Sequence, residues 1–155
     1  MILRLSFFIL IQFYTLQVFT QKLNYHIVRS AILFYPKNDE DTISIQNNIR
    51  NLEALDTNQI QKKYLKDYYS DLGRFYWFLA HGKNKILYQQ KAFAAYSKTL
   101  FHKSHDHRAL WFFALYYAYH DDCEKAKIFM TSYKKHSDKK KWNTECIAFA
   151  EAQCQ

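Results

Sequence analysis

Residues 74–80, RFYWFLA, and residues 108–114, RALWFFA, are two similar stretches of this sequence. Both stretches begin with Arg, carry Trp at the fourth position and end in Ala, and they start 34 residues apart. Self-similarity at a fixed period of this length is the sequence signature of helical repeat proteins. The same offset recurs between Lys91-Ala92 and Lys125-Ala126, between His102 and His136, and between Phe113-Ala114 and Ile147-Ala148.

The composition also favours helices. Among 155 residues, only 2 are Gly and 1 is Pro, whereas β-sheet folds need many turns built from these residues. Aromatic residues make up 19%, and most of them must be buried because ring packing is a chief source of core energy. The formal net charge of +8 favours acidic partners or anionic surfaces. Nucleic acid is one interpretation of this charge, but the export signal described next argues against it.

The N-terminal residues 1–20 have the pattern of a secretory signal peptide. Arg4 supplies a thin positive region, and residues 5–19 are mostly apolar. Val18-Phe19-Thr20 fits the end of a signal that is cleaved before Gln21. The sequence therefore predicts export to the periplasm or the cell exterior. An uncleaved membrane anchor and a buried core helix remain alternatives, although the stretch is short for a membrane span.

Apolar residues at helical spacing predict seven helices and no strand after the signal. The fifth helix is apolar nearly all round, so it must be covered on more than one side. Asp121, with Glu124 three residues later, predicts a capped start for the sixth helix. The expected helices span residues 22–35, 42–55, 57–81, 85–102, 107–120, 122–136 and 139–153.

We expect residues 21–155 to form one all-helical domain. The offset of 34 finds no match before residue 73, because Gln46 and Asn58 occupy the positions where Ala recurs later. The N-terminal helix pair is therefore expected to be degenerate. The expected parts are a degenerate pair over residues 22–56, repeats over about 57–104 and 105–138, and a capping helix over 139–153.

Over about residues 60–153 the chain resembles the tetratricopeptide repeat family. That family places small residues at repeat positions 8 and 20, which here are Ala80 and Ala92, then Ala114 and Ala126. Two antiparallel helices approach closely only where a small residue lies at their crossing. The resemblance implies an all-α fold of antiparallel helix pairs, stacked as a short right-handed α-solenoid with a C-terminal capping helix. It also implies a protein–protein interaction module that binds a peptide or a protein surface through a concave groove.

The resemblance also implies which residues line that groove, since particular positions of each repeat's first helix do so in the family. The partner-binding residues are then Arg74, Trp77, Arg108, Trp111, Leu115 and Tyr119. Each Arg and Trp pair is spaced i, i+3, which places guanidinium and indole on one helix face and suits an acidic or aromatic peptide. The alternative is that both indoles pack against a neighbouring helix. For exposed indoles, we expect Arg108→Glu to weaken partner capture and leave the melting temperature nearly unchanged.

Patterns that carry catalysis are absent from the sequence. It holds no G-x-S-x-G, no H-E-x-x-H and no Gly-rich phosphate loop, so we expect neither an enzyme nor a cofactor. His102, His105 and His107 could bind Zn²⁺ or Ni²⁺, but a polar turn without a Cys ligand is favoured, so no metal is expected. We expect another protein or peptide as partner, and no nucleic acid. The alternative function is a membrane-tethered structural or assembly factor, retained by an uncleaved N-terminal anchor.

The three cysteines predict one disulfide. Cys123 begins the sixth expected helix and Cys154 ends the seventh, and these two ends meet in an antiparallel pair. Export to an oxidising compartment permits the bond. Cys146 lies about two helical turns before Cys154 and is expected to be a buried free thiol. Three unpaired cysteines are the alternative.

Overall fold

The computed structural model describes residues 28–30, 42–80, 84–139 and 144–154, and all regular structure in these ranges is helical. The expected all-helical fold is therefore confirmed. The predicted signal peptide, its cleavage site and most of the predicted first helix lie outside the described residues. The helices are α1 (Thr42–Glu53), α2 (Lys62–Leu79), α3 (Lys85–His102), α4 (His107–Tyr119), α5 (Cys123–His136) and α6 (Thr144–Gln153), with a 3-10 turn at Thr57–Gln59.

The start of α2 differs most from the sequence-based boundary. The carboxylate of Asp56 accepts a hydrogen bond from the backbone N–H of Asn58 at 2.9 Å and caps the 3-10 turn. Ile60 then adopts an extended conformation with φ −77° and ψ 126°. Because an extended residue interrupts the helical hydrogen bonds, α2 begins only at Lys62 and not at Thr57.

The cap of α5 is also shifted by one residue from the prediction. Asp122, and not Asp121, is the N-cap, and its Oδ1 accepts the backbone N–H of Lys125 at 3.3 Å. Asp121 has a φ of 58°. This left-handed conformation, which Asp tolerates better than most residues, reverses the chain between α4 and α5. Asp121 therefore forms the turn, and Asp122 caps the helix.

The chain divides into two compact units, residues 1–65 and 66–155. In the first unit, α1 buries Ile45, Ile49 and Leu52. Their i, i+4, i+7 spacing is that of one helix face. The second unit holds the rest of α2 and the helices α3 to α6.

In the second unit, α4 and α5 form an antiparallel pair. The ring of Tyr117, late in α4, lies 5.6 Å from that of Phe129, and the ring of Trp111, early in α4, lies 5.1 Å from that of Tyr133, late in α5. Small side chains at the contact allow this approach. The core around it consists of Leu110, Ala114, Ala118, Ala126, Met130, Tyr133, Ile147 and Ala150.

The neighbouring helices α2 and α3 are also antiparallel. Tyr69, early in the second unit's part of α2, stacks on His102 at the end of α3, with ring centres 5.7 Å apart. Tyr76, late in α2, stacks on Tyr88 near the start of α3 at 6.4 Å. Gly73 lies between them and meets the ring of Tyr96. Because Gly73 has no side chain, the two helices can approach closely at this point.

Side chains also connect successive pairs. Trp77 of α2 meets Phe112 of α4 edge to face at 5.2 Å, and Phe93 of α3 meets Phe113 of α4 at 5.1 Å. Helix α6 packs against both α4 and α5. Helix α4 is consequently covered from several sides, which explains why its sequence is apolar nearly all round.

Cys123 and Cys154 lie at disulfide distance, with Cα atoms 5.2 Å apart. The bond joins the start of α5 to the end of the α6 segment, as the antiparallel arrangement predicted. The side chain of Cys146 lies outside the described residues. In the part of the chain that the structure covers, no helix combines the length and the hydropathy needed to cross a membrane.

Candidate functional site

One open cavity of about 380 Å³ lies where several helices of the second unit meet. The late residues of α2 and α4, the first turns of α3 and the middle of α6 form its walls. Their side chains meet there because α2 and α4 run in the same direction, while α3 starts where α2 ends. The lining residues are Trp77, Ala80, Lys85, Gln89, Leu115, Tyr119 and Phe149.

Three of the predicted partner-binding residues line this cavity: Trp77, Leu115 and Tyr119. Leu115 and Tyr119 are spaced i, i+4 on α4 and so share one face. Both Trp77 and Leu115 are half-buried, and Tyr119 is 49% exposed. Each of these side chains is therefore partly packed against the protein and partly accessible to solvent.

The rim of the cavity is polar. The ammonium of Lys85 donates a hydrogen bond to the hydroxyl of Tyr119 and lies 4.4 Å from the centre of its ring. Gln89, one turn further along α3, is buried and also lines the cavity. The site thus combines an apolar wall, one cation and one amide that both donates and accepts hydrogen bonds.

Phe149 completes the apolar wall, and sequence reasoning missed it. It belongs to α6 and is 45% exposed. It lies 34 residues after Leu115, the same offset that relates the two Trp stretches. Lys85 and Tyr119 are also 34 residues apart. The repeat period itself was therefore the signal that could have located Phe149.

Arg108 is placed elsewhere, in an ion pair inside the second unit. Its Nη1 donates to Asp71 Oδ1 at 3.2 Å and to Ser70 Oγ at 3.4 Å. The carboxylate of Asp71 is only 3% exposed. This ion pair favours a lowered melting temperature for Arg108→Glu, in place of the nearly unchanged one expected from the sequence, because the variant would set two carboxylates together in a buried place.

Arg74 and Trp111 make packing contacts. The guanidinium of Arg74 lies 5.4 Å from the ring centre of Phe78, one turn further along α2. Trp111 is half-buried against the core and tilted on Tyr133. The two Trp residues at equivalent positions thus have different surroundings: Trp77 lines the cavity, whereas Trp111 packs between α4 and α5.

The predicted histidine cluster is divided between two contacts. His102 stacks on Tyr69, whereas His105 stacks on His136 with ring centres 4.0 Å apart. Partial desolvation, with the nearby His105 and Lys135, lowers the pKa of His136 below its ordinary value. Within the described ranges, no three His, Cys, Asp or Glu side chains are grouped so that they could hold a metal ion.

A second cavity, of about 480 Å³, lies between α5 and α6. Its floor is made by Ala126, Met130 and Ala150, and Lys134 and Glu151 pair with each other at its edge. Small residues on both helices leave this space open. None of the predicted partner-binding residues lines it, so the smaller cavity is the better candidate site.

The chain matches no protein-family model, no curated protein and no solved structure.

Proposed function

We propose that this protein is an exported interaction module that binds a peptide segment of another protein in the cavity around Trp77, Leu115 and Phe149. The observation that carries the proposal is the convergence of Trp77 of α2, Leu115 of α4 and Phe149 of α6 on one open cavity, with Leu115 and Phe149 34 residues apart. Its volume lies within the range of about 300–1,000 Å³ that is usual for ligand sites.

We further propose that α2 to α6 form a short right-handed solenoid of the tetratricopeptide type. Two observations support it. The small residues Ala80, Ala92, Ala114 and Ala126 are all buried. Helix α4 contacts its partner helix α5 and the next first helix α6. Ring contacts join α2 to α3 and to α4 in the same way. Stacking of this kind exposes a concave face formed by the first helices, and a continuous surface of that type suits extended ligands.

Export is part of the same proposal. The disulfide of Cys123 and Cys154 supports it, because such bonds persist in oxidising compartments and are rare in the cytosol. Outside the cytosol the peptide would bind the oxidised protein, in which the disulfide ties the end of α6 to the start of α5.

Selection of random peptides displayed on phage against the purified full chain tests the proposal. We expect the selection to yield peptides with one large apolar side chain, because the walls are mostly apolar and aromatic. Phe149→Ala is then expected to weaken their binding by about tenfold, as for loss of one well-packed aromatic contact.

Phe101→Ala is the matched control. Phe101 is 85% exposed on α3 and does not belong to the cavity lining, so its removal is expected to leave the dissociation constant within a factor of two or so of the parent. If both Phe variants bind like the parent, the cavity is not the binding site.

A further inference from the structure

The distribution of charge around the cavity identifies the kind of peptide. Between residues 72 and 120 the chain carries seven Lys and Arg residues and a single acidic residue, Asp106. The carboxylate of Asp106 is committed to the start of α4, where it accepts the backbone N–H groups of Arg108 and Ala109 at 3.1 and 3.3 Å. Of these cations, Arg108 pairs with Asp71 of α2, and Lys85 is the one that lines the cavity.

Lys85 brings this charge to the cavity itself. Its ammonium donates to a neutral hydroxyl, that of Tyr119, and lies over the same ring. A carboxylate would add the attraction of opposite charges to this hydrogen bond, which the neutral hydroxyl cannot supply. An acidic side chain arriving at the rim would therefore displace the Tyr119 hydroxyl from Lys85.

We infer that the occupant of the cavity is a short peptide segment in which one large apolar side chain is flanked by Asp or Glu. This inference rests on the proposed function and specifies its ligand. The apolar side chain contacts Trp77, Leu115 and Phe149, and the flanking carboxylate pairs with Lys85. The buried amide of Gln89 provides a donor and an acceptor for the peptide backbone.

The shape of the site favours a peptide over a lipid headgroup or a nucleic acid. The lining contains a single cation, whereas binding to an anionic surface or a phosphate backbone draws on several cations arranged together. The rest of the wall is mostly apolar and concave. It suits one apolar side chain of a peptide, inserted between uncharged residues of the protein.

The test compares two synthetic peptides made from the consensus of the display selection. One carries the selected Asp or Glu, and the other carries Asn or Gln in its place. With the full chain, fluorescence anisotropy is expected to show roughly two- to fivefold tighter binding of the acidic peptide, because Lys85 is exposed and its ion pair is replaced by a bond from the same ammonium to a neutral amide.

Lys85→Glu is expected to remove this preference, so that the amide peptide binds at least as tightly as the acidic one. Lys98→Glu is the matched control. It makes the same charge change on the same helix, about 20 Å further along at 1.5 Å per residue, and is expected to keep the preference.

Each other outcome overturns the inference. Selected peptides that share an apolar residue but no acidic neighbour leave the peptide-binding function in place and remove only its acidic specificity. A selection without any binding peptide removes both. Sedimentation of the chain with vesicles of phosphatidylcholine and phosphatidylglycerol, lost in Lys85→Glu and kept in Lys98→Glu, would assign the site to lipid headgroups instead.

Discussion

At the scale of single residues, Gly73 decides how closely α2 approaches α3. A Cβ placed there would lie 2.8 Å from Tyr96 Cδ2 and 2.9 Å from Tyr96 Cγ. These atoms belong to the body of a buried ring that stacks on Phe112 at 4.5 Å, so the ring has little room to move. Burial also raises the pKa of the Tyr96 phenol, which keeps the ring neutral in the core.

Gly73→Ala is therefore expected to lower the free energy of unfolding by about 1–2 kcal/mol, because overpacking exceeds the gain of about 1 kcal/mol from better helix propensity. Urea denaturation measures the difference. The same change in a Tyr96→Leu background is expected to cost less, since the smaller side chain can yield. Equal costs in both backgrounds would show that the contact with Tyr96 is not the cause.

Arg108 is the second residue whose role depends on one partner. Arg108→Glu is expected to destabilise the fold by about 3 kcal/mol, since it leaves the buried Asp71 carboxylate beside a like charge. The figure is at the lower end for buried pairs because Arg108 itself is 32% exposed. Lys103→Glu, the same charge change at an exposed residue, is expected to cost less than about 0.5 kcal/mol. Similar melting temperatures for the two variants would contradict a stabilising ion pair.

At the scale of secondary structure elements, the crossing of α4 and α5 depends on small side chains. Ala114 is fully buried in the core that these helices share. Ala114→Leu is expected to lower the free energy of unfolding by about 1–3 kcal/mol, because the added carbons have no free volume to occupy. Ala94→Leu, on the exposed side of α3, is expected to change it by less than about 0.5 kcal/mol. An Ala114→Leu variant as stable as the parent would show that the crossing has room for a larger residue.

At the scale of the whole molecule, the disulfide fixes the C-terminal helix. It joins cysteines that are 31 residues apart in sequence, and closure of a loop of that length stabilises by about 3–4 kcal/mol in the chain-entropy treatment. Cys154→Ser is therefore expected to lower stability by roughly this amount and to speed amide hydrogen exchange in α6. Cys146→Ser, which leaves the bond intact, is the control. Unchanged exchange in α6 after loss of the bond would mean that packing alone holds the helix.

The all-helical class and the positions of most helices among the described residues could be predicted from the sequence alone. Helix α3 spans residues 85–102, as its apolar spacing predicted, because the period of 3.6 residues is a property of the backbone itself. The repeat offset identified Ala114 and Ala126 as buried neighbours. The positions of Cys123 and Cys154 at helix ends were enough to predict their pairing. All of these follow from local geometry together with one antiparallel reversal.

Which side chains meet could not be predicted from the sequence and is seen in the packed helices. Asp71 and Arg108 are 37 residues apart, and no local rule connects them. Trp77 and Trp111 share a repeat position, yet the first lines a cavity and the second packs on Tyr133, since their neighbours on the adjoining helices differ. The candidate site needed Phe149 from a third helix. Which side chains become partners depends on the distance and the free volume between neighbouring helices. Both are set only when the helices pack against each other.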